Sequence, residues 1–458
     1  MAGLFDSLSM AARSLQAQQF ALNVTGQNIS NVNTPGYTRR VVDFADVPAN
    51  AGGGVEVQGV RGIRDSLLEG RLLKQVPLGA YDAAVADALS VIETSLGATG
   101  TSIDGGLDRL FSAFADLAES PTSSSARQNV LAAADALATS FNDTATRLEL
   151  SRRDADARLR GAVDEINTLS GRIAEINGVL PTATANGAGL TLRDEQAQLV
   201  RRLSELASIN VIARDDGGVD VTIGSGRPLV VAANSYQIGT TATAPFGYAT
   251  LNAGDFDITS EVTGGTLGGL LHVRDTVVPG YLADLDRLAA QTSTSVNALH
   301  AGGFDLDGSA GGAFFSYETA ITPPSDAAKS LRLDPALAAD PRRVAAAGVA
   351  LGGDNGTARA LAALRSERVL DGGTATLNDG WGDLVYRIGS DAQAAGIARD
   401  THDSITREVD ALRDQVSGVS LDEEALNMLK FQRAYEANAK FFTVVDSLLD
   451  TLMNTYRP

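Results

Sequence analysis

Both ends of this 458-residue chain carry apolar residues at seven-residue intervals, and that periodicity limits what can lie between them. Leu421, Met428, Tyr435, Phe442, Leu449 and Tyr456 form an unbroken row, with Glu424, Phe431, Asn438, Val445 and Leu452 as its companion. Residues three, four and seven apart share one face of a helix, so two rows with this offset make an a/d seam. A helix over 421–456, at about 1.5 Å per residue, is about 54 Å long. At the other end Leu8, Leu15, Leu22 and Ile29 repeat the spacing, and Leu4, Ala11, Gln18 and Thr25 form a weaker second row. Neither end has a short loop leading to a helical neighbour. The economical solution is that the two ends pair with each other or with copies of themselves, and the rest is an excursion between them. Two ordinary amphipathic core helices would leave the same rows.

A chain of this length exceeds one core and suggests roughly three units. Asp and Glu number 56 against 37 Lys and Arg, a net charge of −19, and the basic pairs Arg39-Arg40, Arg152-Arg153, Arg201-Arg202 and Arg342-Arg343 are isolated. Nucleic-acid binding needs the opposite balance, so no nucleic-acid partner is expected. There is no cysteine, which excludes disulfides, thiol catalysis and cysteine zinc sites and suits oxidising surroundings outside a cell. No window approaches 18 apolar residues, so no membrane insertion is expected. Met1 to Asp6 lacks a basic start before an apolar run, so an exported chain would need a route without a cleaved leader.

Periodicity and breakers divide the remainder. Residues 1–75 read as an axial helix, a turn and an extended segment: Asn28 to Thr34 stop the helix, Pro35-Gly36 turns, and Tyr37 to Phe44 is a strand. Residues 76–205 read as the first part of a helical rod, whose third helix passes Leu148 and Ile176 and stops at Gly178 to Pro181. Residues 206–272 read as a β-rich outer domain, with strands at Ile209–Ala213, Val219–Ile223, Pro228–Ala232, Tyr236–Ile238, Tyr248–Leu251 and Phe256–Val262. The Asp215-Asp216-Gly217-Gly218 run is a hairpin signal. A return helix occupies 273–301, an irregular Gly/Pro/Asp-rich connection 302–352, the last part of the rod 353–420 with helix after Trp381, and the C-terminal axial helix 421–458. The fold class is mainly α with a β insertion: a coiled-coil-like rod formed by both chain ends plus a small antiparallel β domain.

Chemistry is hard to place on this chain. His272, His300 and His402 have no helical partner of the kind a zinc helix needs, and no Gly-x-Ser-x-Gly elbow is present. Gly224-Ser225-Gly226 lies between strands and reads as a turn. Asp305-Leu306-Asp307-Gly308 opens like a calcium loop, but Ser316 stands where the bidentate glutamate belongs, so an Asx turn is the stronger reading. Asp422, Glu423 and Glu424 sit in the first helical turn, where the helix dipole favours acids. Trp381 reads as a packing anchor. No catalytic residue, cofactor or metal is expected, and an enzyme reading has no motif behind it.

Two separated stretches do carry a resemblance. Asn28-Ile29-Ser30-Asn31-Val32-Asn33-Thr34-Pro35-Gly36-Tyr37-Thr38-Arg39 resembles the N-terminal signature of the bacterial flagellar rod, hook and hook-associated axial proteins. The run Ser417 to Glu424, followed by Phe431-Gln432-Arg433-Ala434-Tyr435-Glu436-Ala437-Asn438-Ala439, is similar to the matching C-terminal end of that group. In the middle, Gly264 to Leu271 with Arg274-Asp275, Phe304 to Gly308, and Gly353-Asp354-Asn355 resemble its hook-associated members at the hook–filament junction. Arg40 stands where glutamine is expected and Ser30 where alanine is usual. The chain looks short for the family, which suggests a missing outer domain. The resemblance implies a secreted, extracellular, non-enzymatic subunit of the flagellum, exported by the flagellar type III apparatus and assembled as a short ring. It implies as partners copies of itself, the hook subunit, the next hook-associated (junction) protein, and an export chaperone at the C-terminal helix. A hook-like or flagellin-like filament subunit, or a surface adhesin, is the alternative. The expected assembly residues are Leu8, Leu15, Leu22, Ile29, Asn31, Asn33, Pro35, Gly36 and Tyr37, with Leu421, Met428, Tyr435, Phe442, Leu449 and Leu452.

Overall fold

A computed structural model describes residues 2–48, 53–96, 102–185, 188–244, 246–318, 326–351 and 353–455. Tyr456 of the expected seam lies outside the described residues. The chain opens with α1 (Ala2–Ser30), turns, and forms a hairpin of β1 (Arg40–Asp46) and β2 (Val55–Gly62). Four helices follow: α2 (Ser66–Leu96), α3 (Ile103–Glu119), the 62-residue α4 (Ser124–Ala185) and α5 (Gly189–Leu206). Then come β3 (Ile209–Ala213), β4 (Val219–Ile223), β5 (Arg227–Val231) and β6 (Asn234–Ser235), an antiparallel four-stranded sheet in chain order. A second, three-stranded sheet holds β7 (Ile238–Thr243), β8 (Tyr248–Ala253) and β9 (Phe256–Asp257). Helix returns with α6 (Gly265–His272), a π-turn over Val273–Val277, and α7 (Val278–Ala301). The next stretch holds β10 (Phe315–Ser316), α8 (Ala327–Ser330), β11 (Arg332–Leu333), α9 (Pro335–Ala339) and a 3-10 turn over Pro341–Arg343. The chain ends with α10 (Gly356–Ala363), α11 (Leu377–Ser417) and α12 (Leu421–Thr455). The architecture is mainly α with a β insertion, as the periodicity indicates.

One buried core joins α2, α3, α4, α6 and α7, and the inward side chains of the β insertion belong to it. Val221, Ile223, Leu229, Val230, Ala249 and Leu251 lie in the same cluster as Ile166 and Ile173 of α4. The two sheets are thus laid along α4, with no separate core under 206–272. Asn177 clamps the first sheet: its amide nitrogen donates to the Val219 and Ala232 carbonyls at 2.8 and 2.7 Å, and its oxygen accepts from the Val219 amide. This tertiary hold explains why α4 does not stop at Gly178 to Pro181 but runs to Ala185, with Leu180 fully buried.

A second clamp sits at the π-turn. Arg274 reaches Asp156 of α4 at 2.7 Å and the Ala249 carbonyl at 2.7 Å, while the Ala249 amide donates to Asp156 at 2.8 Å. The Asp156 carboxyl stays below the usual carboxylate value: burial alone would raise it, and the hydrogen bonds from Ala249, Arg160 and Arg274 outweigh that. The glycines before it have a packing reason. A Cβ on Gly269 would stand 2.6 Å from the Tyr81 carbonyl, so α6 crosses α2 backbone against backbone.

Several boundaries differ from the expectations. The helix α2 begins at Ser66, inside the stretch read as extended, because Asp65 accepts from the Leu67 and Leu68 amides and caps it. The helix α11 begins before Trp381, at Leu377, with a capping box between Thr376 and Asp379. Strand β7 replaces the expected Tyr236–Ile238, and Phe256–Val262 is a two-residue strand followed by a 3-10 turn. The irregular stretch is held by side chains of the helices: Asn297 bonds the backbone of Phe314 and Phe315, and Asn142 donates to Ala328 and Leu331. Asp305 accepts from the Asp307 and Ser309 amides, the expected Asx turn. Gly224-Ser225-Gly226 is the expected turn, both glycines at positive φ, and Trp381 is buried in the core.

Candidate assembly interface at the paired chain ends

The helices α1 and α12 pack against each other within one chain and run antiparallel. Asn28 meets Glu424 at one end, and Ala21 and Val24 meet Phe431 about two turns further along. The hairpin β1–β2 closes a small second core over this contact, with Val42, Val57 and Val60 inward and the Phe44 ring 6.2 Å from that of Phe431. The pair joins the body through the antiparallel arm of α2 and α11, crossed by Arg413–Glu69 at 3.3 Å and Arg399–Asp87 at 3.4 Å, while Arg201 of α5 reaches Asp410 of α11 at 2.7 Å.

The polar centre of the interface is the start of α12. Glu424 is 2% exposed and Asn28 1%. The Asn28 amide nitrogen donates to Glu424 at 3.0 Å and to the Arg40 carbonyl at 2.9 Å. Its oxygen accepts from the Tyr37 hydroxyl at 2.9 Å and the Arg40 amide at 3.0 Å, so all four of its bonds are made. Arg39 spans both acids, reaching Glu424 at 2.8 Å and Glu423 at 2.6 Å. Burial raises the Tyr37 hydroxyl above the usual tyrosine value, with Arg40 opposing, so it remains a donor. Glu424 is therefore the buried centre of a network and not merely an acid facing a helix dipole.

The expected interface residues divide by position. Leu8, Leu15, Leu22 and Ile29 are half-buried and flank the seam, while Ala11, Ala17, Ala21, Val24 and Thr25 lie at the closest approach. The row read as weaker holds two of these, because small side chains let the backbones come near. On α12, Met428, Phe442, Leu449 and Leu452 are half-buried, whereas Leu421 and Tyr435 are exposed. Asn33 and Pro35 are exposed, Asn31 is half-buried and accepts from Thr34, and Tyr37 turns inward to Asn28. Gly36 has φ +74°, and Gln198 of α5 donates to the Pro35 carbonyl at 2.5 Å. Asn31, Thr34, Pro35 and Tyr37 line one wall of a cleft of about 420 Å³, with Thr191, Asp194, Glu195 and Gln198 opposite.

An outward stripe on α12 was not singled out from the sequence. Leu426, Leu429, Phe441, Val444 and Leu448 are exposed, Leu426 by 68%, and Phe5 and Phe20 are exposed on α1. Their spacing of three, four and seven was available, but the stronger a/d rows masked it. An apolar stripe of this length on a solvent face marks a contact surface. Elsewhere the chemistry is structural. Buried His300 uses both ring nitrogens, toward the Gly312 carbonyl and the Ala345 amide. Among the described residues no group of three or more His, Cys, Asp or Glu is placed to hold a metal, and no helix is long and apolar enough to cross a membrane.

Comparison with known proteins agrees with this geometry. Residues 89–315 match the family model described as the flagellar hook-associated protein FlgK helical domain. Residues 414–455 match the flagellar basal body rod FlgEFG protein C-terminal family, and 8–38 the flagella basal body rod protein family. Flagellar hook-associated protein 1 of Bacillus subtilis is 28% identical, with 99% of both chains covered. That of Escherichia coli is 24% identical over 98% of this chain and 99% of its own. These alignments run over 502 and 541 positions, longer than the chain, so each relative carries residues this one lacks. The solved flagellar hook junction protein FlgK from Burkholderia pseudomallei shares the fold, with a TM-score of 0.68 at 17% identity, over 76% of this chain and all of that one.

Proposed function

We propose that the chain, similar to flagellar hook-associated protein 1 over nearly its whole length, is a member of that family and the structural subunit joining hook to filament. The observation that carries this is the pair α1–α12: both matched axial segments, 8–38 and 414–455, fall on it, and it holds the long outward apolar stripe. Family members are flagellar structural proteins, and the chain is a component of the bacterial flagellum that assembles with other flagellar parts.

The finer reading is that neighbouring copies bury Leu426, Leu429, Phe441, Val444 and Leu448 of α12, with Leu421 and Tyr435 at the edge. Asn33, Pro35 and the 31–37 turn meet the next subunit along the axis. The hook subunit lies on one side and the next hook-associated protein on the other. Before assembly the same stripe is the surface for an export chaperone, and the protein is secreted to the cell exterior through the flagellar type III apparatus. Labelled antibody on intact cells tests the placement: a signal confined to the distal end of the hook is expected, and labelling along the hook or the filament would refute it.

A further inference from the structure

We propose that the buried Glu424–Asn28 contact sets the register of α12 against α1, acting as a positioning key rather than as a source of stability. The proposal concerns the single chain and does not depend on the assembly reading. The apolar part of this seam specifies register weakly. Its rows repeat every seven residues on both helices, so a shift by one heptad again sets like against like. Its closest contacts on α1 are small residues, Ala11, Ala17, Ala21 and Val24, and among the described residues of α12 only Glu424 and Val445 are buried. A row of alanines meeting half-buried side chains offers no deep knob to resist sliding.

The node differs because it tolerates one alignment. Asn28 has all four bonds filled, two of them by the Arg40 backbone, which fixes its amide in place. One Glu424 oxygen takes the Asn28 amide and the other takes Arg39. A shift of α12 by one turn, about 5.4 Å, would carry the carboxylate out of this pocket and bring a neutral residue in. A single buried polar pair in an apolar helical seam is the best-attested device for fixing register. Glu424 is the buried member of the network on α12, beside the exposed Glu423 that Arg39 also reaches; Asn28, Tyr37, Arg39 and Arg40 are held together by the turn and the hairpin. The register also decides where the outward stripe of α12 stands relative to the body.

The chain has no cysteine, so engineered pairs report register without background. Seven residues along each helix from the node, close to two full turns, Ala21 meets Phe431. Ala21→Cys with Phe431→Cys reports the native register, Ala21→Cys with Asn438→Cys a heptad shift, and Ala21→Cys with Asn427→Cys a one-turn shift the other way. Disulfide formation needs Cβ atoms about 3.5–4.5 Å apart, so it separates the three. With Glu424 intact, the first pair should cross-link at least about tenfold faster than the others. In Glu424→Met, of similar shape without charge, the gap should fall to within about threefold while helix content is retained. Glu424→Gln keeps an oxygen for Asn28 and should fall between. An unchanged gap in folded Glu424→Met overturns the proposal. So does loss of helix in Glu424→Met with the full gap kept in Glu424→Gln, because the contact then holds the fold and not the register.

Discussion

His300 and Asp286 are buried titratable groups that act on stability in opposite directions. Burial lowers the His300 pKa, so the fold holds a neutral imidazole. An unfolded histidine titrates near 6.5, so its contribution is complete above that pH. It is lost as pH falls below about 6.5, where only the unfolded chain takes up the proton. Burial raises Asp286 to about 6 even though it accepts from the Ala328 amide at 2.7 Å. Its contribution is complete below the unfolded value of about 3.9 and is lost as pH rises through about 6. Asp286→Asn keeps an acceptor for Ala328 and removes the charge. It should stabilise the protein at pH 8 by on the order of 1–3 kcal/mol, with the gain vanishing toward pH 4. Denaturant melts at the two pH values decide; an equal effect at both would mean that charge is not the cause. Gly269→Ala, with no room before the Tyr81 carbonyl, should destabilise by about 1–3 kcal/mol at either pH.

At the scale of elements, what the sequence showed depended on whether a segment's own residues decide its structure. Helices α3, α4 and α7 were readable because their apolar positions recur at helical spacing and all face one core. The hairpin at 215–218 was readable because Gly217 needs its φ of +86° and Asp216 bonds the Gly218 amide. Where tertiary contacts override local signals the reading failed. Pro181 does not stop α4, Gly380 and Gly382 do not delay α11, and Gly265 to Gly269 open a helix because α6 must lie close on α2. Strand β7 was missed because Gly239-Thr240-Thr241-Ala242-Thr243 is exposed throughout and lacks alternation. The interface was half legible: the rows located both helices, but Glu424 can be recognised as the node only when Arg39 and Asn28 are seen around it. The shared core makes a prediction for the β insertion. Deleting 209–263 would uncover Ile166 and Ile173 of α4, so the circular-dichroism helix signal should fall and thermal unfolding should broaden. A remainder that keeps its helix signal and a sharp transition would show the sheets to be a detachable unit.

At the scale of the whole molecule, the chain consists of a well-packed body and a thinly packed terminal pair, bridged by the arm of α2 and α11. The body buries large side chains such as Phe111, Phe114, Phe141 and Tyr281 completely. Apart from the polar node, the terminal pair buries small residues of α1, Ala11, Ala17, Ala21, Val24 and Thr25, and Val445 of α12, with its large residues half-covered or outward. Ordering each residue costs roughly 1–2 kcal/mol of backbone entropy, and burying a large apolar side chain returns on the order of 1.5–3 kcal/mol. Half-buried rows therefore come close to balance over most of α1 and α12. Near the node the sum improves, because Val24, Phe431 and the β1–β2 hairpin meet there. Local opening should follow this gradient. Hydrogen exchange on the purified monomer should show residues 20–30 and 421–432 protected, while 2–16 and 436–455 exchange within seconds. Assembled protein should be protected throughout, because neighbours then cover Phe441, Val444 and Leu448. Phe442→Asp, on the weak half of the seam, should abolish assembly yet leave exchange in α3, α4 and α7 unchanged. Uniform slow exchange along both terminal helices in a protein shown to be monomeric would mean that the single chain already stabilises its full seam, and assembly would then have to proceed without the ordering step argued here.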